Sequence, residues 1–111
     1  MAYCHCADCR RWTGAPAPAF AAFVEVTLEP EGQPLVKGGV KRWTCASCGS
    51  AMAAQFDYLP GQTYVPLGVL DQADQLAPSL HCHADKALPW VLHDDGLPRV
   101  EGTAREVLRH D

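Results

Sequence analysis

The sequence predicts a mostly-β fold: a single small domain of two packed antiparallel sheets built around cysteine loops. Three observations lead there. Nine prolines and nine glycines are spread evenly along 111 residues and cut the chain into pieces with little room for long helices. The pieces between them are short apolar runs, several alternating with polar residues, as half-buried strands do. Six cysteines complete the picture, five of them gathered in two short clusters where turns can bring side chains together. A length of 111 residues suits one domain over 1–111. About two-thirds of the unfolded surface can be buried at that size, so a further staple would help.

Taken in order, residues 19–28, "AFAAFVEVTL", read as a strand, with β-favouring Phe23, Val24 and Val26 and alternating Glu25 and Thr27. "EPEGQP" (29–34) is a turn. "PLVKGGVKRWT" (34–44) reads as a hairpin around Gly38-Gly39. "SAMAAQFDY" (50–58) is a strand ended by Leu-Pro-Gly. "TYVPLGVL" (63–70) is β-like, with Pro66 marking an edge or bulge. "LHCH" (80–83) and "LPWVLH" (88–93) are short strand candidates, and residues 103–109 suit a terminal helical turn or two.

Charge narrows the partners. The formal net charge is −4, and of nine Lys and Arg only Arg10-Arg11 and Lys41-Arg42 are adjacent. Nucleic-acid binding, which rests on many phosphate contacts, is not expected. No apolar run reaches the length of a membrane span, and the opening Met-Ala-Tyr-Cys-His-Cys lacks a signal-peptide pattern. A cytoplasmic protein is expected. Thiols there stay reduced, so the cysteines point to metal or catalysis before disulfides.

Cys4, Cys6 and Cys9 form C-x-C-x-x-C. Extended backbone puts Cys4 and Cys6 on one face, and a turn through Ala7-Asp8 brings Cys9 round to them. Three thiolates can then bind one Zn²⁺ and leave a fourth position open. A Cys4–Cys6 disulfide would be strained; three small buried side chains are the plain alternative. Cys45 and Cys48, in "CASCG", match a zinc knuckle, whose following Gly tolerates positive φ. C-x-x-C also serves redox dithiols, but those expect an α/β setting. Cys82 lies in "HCH", where a strand would put His81 and His83 on one face as ligands or as surface residues.

These motifs resemble a known family. "CHCADCRRWTGAP", "CASCGSAM" and "VPLGVLDQADQLAPSLHCHADKALPWVLHDDGLPRVEG" are similar, in order and spacing, to the glutathione-dependent formaldehyde-activating enzymes, also called the centromere-protein-V-type domain. The resemblance runs from Cys4 to about Gly102. It implies a mostly-β fold around two zinc sites, with Cys4, Cys6 and Cys9 on the catalytic zinc and Cys45 and Cys48 on the structural one. The family supplies the structural site's remaining ligands from an upstream C-x-C, which does not occur here, so the chain reads as an N-terminally short version of the domain. Three readings stay open: a start upstream of Met1, loss of the structural zinc, or replacement ligands from Cys4 and Cys6, from His81 and His83, or from a second subunit.

The implied reaction is reversible addition of glutathione or another thiol to formaldehyde or a related small electrophile, formally a carbon–sulfur lyase. A zinc with three thiolates is a weak activator of water but a good platform for a thiol. Arg10 and Arg11 could offset the thiolate charge or hold a glutathione carboxylate. Thr13 and Gly14 are expected to shape the turn after the metal loop, Trp12, Trp43 and Trp90 to be core or rim, and Asp71 and Asp95 to cap turns. The alternative is a non-catalytic, zinc-stabilised binding or assembly module; a redox dithiol at Cys45 and Cys48 is the third reading. Fewer N-terminal strands would expose a sheet edge or apolar patch, which a homodimer would cover.

Overall fold

A computed structural model describes residues 1–24, 30–91 and 94–103. Its strands are β1 (Ala2–Cys4), β2 (Ala19–Val24), β3 (Leu35–Lys37), β4 (Val40–Thr44), β5 (Ala51–Phe56), β6 (Gln62–Pro66) and β7 (His81–Cys82). One α-helix, α1 (Ala7–Thr13), follows β1. The mostly-β expectation is borne out. In place of two packed sheets, however, all seven strands join one sheet in the order β3-β4-β5-β6-β2-β1-β7.

The sheet grows from hairpins. β3 and β4 turn at Gly38-Gly39, with Lys37 opposite Val40. β4 and β5 pair next, with a register shift between Trp43 and Thr44. β6 lies between β5 and β2, so Pro66 ends an inner strand rather than marking an edge, and a 3-10 turn over Leu67–Val69 follows it. Pro lacks a ladder donor, which suits the last position of a strand. β1 pairs parallel with β7, where Tyr3 meets His81 and Cys4 meets Cys82. Of the remaining sequence expectations, 25–28, 92–93 and 104–109 lie outside the described residues. Leu88–Val91 is not a strand; a turn occupies 89–90.

Period-2 alternation gives the sheet two unlike faces. Trp43, Ala53 and Val65 are buried on one of them, and the Trp43 Nε1–H donates to the Gly32 carbonyl at 3.2 Å. Phe20 and Ala54 are buried on the other, which carries α1. The Trp12 ring lies nearly parallel to that of Phe20, with centroids 6.2 Å apart. At the β1–β7 end Ala2, Leu80 and Cys82 form a buried cluster with Val100 packed against it. The 98–102 segment is tied there by Val100 N–H to His81 O (2.8 Å) and His83 N–H to Gly102 O (3.0 Å).

Candidate metal centre

The C-x-C-x-x-C stretch changes conformation at its second cysteine. Cys4 ends β1. Cys6 has extended backbone (φ −67°, ψ 150°) and is the N-cap of α1, its Sγ accepting from the Cys9 N–H at 3.4 Å. A cap acceptor there satisfies one of the helix's open N–H groups. Cys9 thus sits in the first turn and points back to Cys6. α1 ends at Gly14, in left-handed backbone (φ 76°), with its N–H on the Arg10 carbonyl. Thr13 Oγ1 donates to the Cys9 carbonyl at 2.8 Å and accepts from the Ala15 N–H at 3.1 Å. Thr13 and Gly14 therefore shape the exit from the loop, as the sequence suggested.

The result is a trio. The sulfurs of Cys4, Cys6 and Cys9 all lie within 4.8 Å of one another, and among the described residues no other group of three or more potential ligands forms. The Cys4 thiol donates to Cys6 Sγ at 3.5 Å. Hydrogen bonds from Cys4 and then Cys9 pull the Cys6 thiol far below its ordinary range, so Cys6 is the thiolate of the set. Cys4 is pushed up to about 12, first by its hydrogen bond to Cys6, and Cys9 is raised by Cys4, Cys6 and burial. Three sulfurs at this spacing fit a tetrahedral Zn²⁺ with one position left over.

The three cysteines line a cleft of about 100 Å³, whose other walls include Phe20, Phe56, Tyr58 and Tyr64. Tyr64 Oη donates to Gln62 Oε1 at 2.6 Å. Partial burial, and then the charge of Cys6, Cys9 and Cys4, push the Tyr58 hydroxyl up to about 12, so it keeps its proton. Cys82 and His83 also face the cleft. His83 holds left-handed backbone (φ 51°, ψ 40°), a costly conformation for a non-glycine residue and one met at functional sites. Its charge contributes to lowering Cys6.

On the opposite face of β1 lies an arrangement that the sequence reading missed. His5 and His81 are fully buried, and His5 Nε2 lies 2.9 Å from His81 Nδ1. His81 Nε2 lies 2.9 Å from Asp95 Oδ2. A carboxylate only accepts, so His81 Nε2 carries a hydrogen; a neutral His81 then accepts at Nδ1 from His5 Nε2–H. Tyr3 stacks on His81 at 4.8 Å between centroids. Asp95 also caps its turn, Oδ1 accepting from the Leu97 N–H at 3.0 Å. The chain Asp95–His81–His5 backs the loop between Cys4 and Cys6. Only the C-H-C spelling and the run "LHCH" hinted at it, and neither says that the two histidines meet.

The other predicted residues fall elsewhere. Cys45 and Cys48 flank the β4–β5 turn, Cys48 exposed with Sγ 3.0 Å from Ser50 Oγ. That hydrogen bond lowers the Cys48 thiol. Cys45 lines a groove with Phe23, Trp43 and Val65, on the face away from the cysteine trio. Arg10 and Arg11 stand in the last turn of α1 and neither lines the cysteine cleft. Trp43 is core, Trp12 half-buried, and Trp90 67% exposed.

No curated protein matches the chain. The family model described as glutathione-dependent formaldehyde-activating enzyme matches residues 1–86, a span holding the trio, α1 and all seven strands. No helix among the described residues is long and apolar enough to cross a membrane. The chain belongs to the glutathione-dependent formaldehyde-activating enzyme family.

Proposed function

We propose that this protein is a zinc-dependent enzyme of the carbon–sulfur lyase type, adding glutathione or a related thiol reversibly to formaldehyde or a similar small electrophile. The observation that carries this reading is the opening of the Cys4–Cys6–Cys9 trio on an aromatic-lined cleft. Zinc held by these thiolates would lower the pKa of an incoming thiol and keep it as thiolate. The protein's own residues do the rest. Cys4, Cys6 and Cys9 would hold the ion. Phe20, Phe56 and Tyr64 exclude water from the mouth of the site. The protonated Tyr58 hydroxyl offers a donor at the cleft for the aldehyde oxygen as negative charge develops there. In the overall step the sulfur forms a bond to the carbonyl carbon and the oxygen takes up the proton that the thiol gave up.

A second reading, a non-catalytic zinc staple, has one observation behind it. Cys82 is buried and paired in register with Cys4, so a fourth thiolate could close the site. Against it, Cys82 stays outside the group of sulfurs within 4.8 Å of one another. Cobalt substitution separates the two. Glutathione should change the cobalt spectrum of the loaded wild type, and formaldehyde with glutathione should yield the S-hydroxymethyl adduct faster than the uncatalysed reaction by NMR. A spectrum indifferent to glutathione, with no rate enhancement, means a staple.

A further inference from the structure

Buried nitrogen donors without an acceptor gather where α1 crosses the sheet: Trp12 Nε1 and both Nε and Nη2 of Arg42. The Arg42 guanidinium carbon lies 5.6 Å from the centre of the Trp12 ring. The ion pairs among the described residues are His81–Asp95 and Lys86–Asp85, so Arg42 has no carboxylate partner there. Burying the donors of a cation without an acceptor is among the costliest omissions in a folded protein. Groups left in that condition call for a missing acceptor, and the charge of Arg42 makes an anionic one the better match.

Their position relates them to the cysteine cleft. Trp12 follows Cys9 by three residues, on the same side of α1 and about 5 Å further along its axis. The Phe20 ring beneath Trp12 also lines the cleft. In the sheet Arg42 is level with Ala54, and Ala54 with Tyr64, another cleft residue. The two side chains therefore leave the same face, two strands or about 10 Å apart. Arg10 also carries an unpartnered buried Nε. Two residues from Trp12 it is about 200° around the helix, so it belongs to a different side.

We propose that Arg42 and the Trp12 indole N–H form an oxyanion subsite, which takes a carboxylate of the thiol whose sulfur enters the cysteine cleft. The inference rests on the thiol-addition reading for its choice of ligand. A guanidinium fork matches a carboxylate in two parallel hydrogen bonds, and the indole N–H supplies a further donor. Arg42 as a whole is only part-buried, and no hydrogen bond holds its Nε or Nη2. Rotation about its last side-chain bonds turns the donors from Trp12 toward a ligand. The subsite selects thiols that carry a carboxylate several bonds from sulfur over short neutral thiols.

The test uses two probes on the metal-loaded protein. S-methylglutathione keeps the carboxylates and lacks the thiol; 2-mercaptoethanol has the thiol and no carboxylate. By titration calorimetry wild type should bind S-methylglutathione, Arg42→Met should weaken it about 10- to 100-fold, and Arg42→Lys should lie between, keeping the charge without the fork. Trp12→Phe, which keeps the stack and removes the N–H, should cost a few-fold. Far-UV circular dichroism and cobalt content equal to wild type show that the Arg42 variants are folded and loaded. Equal affinity of wild type and both Arg42 variants for S-methylglutathione overturns the subsite. So does no binding of S-methylglutathione by a wild type whose cobalt spectrum responds to glutathione, an outcome that leaves thiol addition standing. Binding of S-methylglutathione that depends on Arg42, in a protein whose cobalt ignores both thiols, upholds the subsite and removes thiol addition.

Discussion

Cys6-Ala-Asp-Cys9 and Cys45-Ala-Ser-Cys48 are nearly the same four letters, and the fold treats them as opposites. The first caps a helix: Cys6 accepts from the Cys9 N–H, the chain winds on through Arg10, Arg11 and Trp12, and the loop meets a third sulfur from β1. The second is a hairpin turn. Cys45 O accepts from the Gly49 N–H at 2.8 Å, Gly49 takes φ 79°, and the chain returns at once into β5. The residue after the motif decides: a left-handed glycine directly after Cys48 permits a turn and no helix, whereas in the first loop glycine comes only at position 14. A C-x-x-C therefore fixes the approach of two sulfurs, and its flanks fix whether anything else joins them.

The sharpest way to break this contrast is to remove one cysteine from each loop. Cys9→Ala should lower zinc affinity more than about 100-fold, beyond the loss from a merely supporting group. Cys48→Ala should change it less than about threefold. Equal losses, measured by competition with a chromophoric chelator, would mean that the loops share one site.

Proton counting sharpens the contrast further. Cys6 is held as thiolate at neutral pH, while Cys4 is raised to about 12 and Cys9 is raised as well. Metal binding must therefore displace the protons of Cys4 and Cys9 but none from Cys6. Raising the pH removes the competing protons, so the logarithm of affinity should climb by roughly two per pH unit between pH 6 and 8. A slope near three would show Cys6 protonated in the metal-free fold.

Backbone changes should be milder. Gly14 and Gly49 both have positive φ and open space where a Cβ would go, so alanine at either meets conformational cost alone. Each should cost about 1 kcal/mol, several degrees in Tm. Gly14→Ala should also weaken the metal site by shifting the end of α1; Gly49→Ala should leave it untouched. The smallest effect is expected from Ser50→Ala, which takes the hydrogen bond from Cys48. The alkylation profile of Cys48 in the metal-free protein should move up toward the ordinary thiol value, with the Cys4–Cys9 loop unchanged.

Much of this was legible in the sequence because it is local. Gly38-Gly39 announces its hairpin, the alternation over 50–58 its strand, and C-x-C-x-x-C its own convergence. α1 went unread because its cap is a cysteine, which propensity does not rank among N-caps, and because seven residues show too little periodicity. The single mixed sheet went unread because strand order depends on pairings between distant segments. The parallel match of Cys4 with Cys82 leaves no local mark, and with it went Asp95–His81–His5 and the cleft-facing place of His83. Arg42 reads as one more surface cation until its face and Trp12 are known.

The trio's compactness bears on how metal and fold depend on each other. Its three cysteines fall within six consecutive residues, whereas the His5–His81 hydrogen bond behind it joins residues 76 apart. An unfolded chain can therefore still gather Cys4, Cys6 and Cys9 around an ion at a small loop-closure cost. An ion that binds both states stabilises the native one only by the difference in its two affinities. Zinc should consequently raise the melting temperature of this protein less than its native affinity alone would suggest, and a chelator should empty the site without unfolding the sheet.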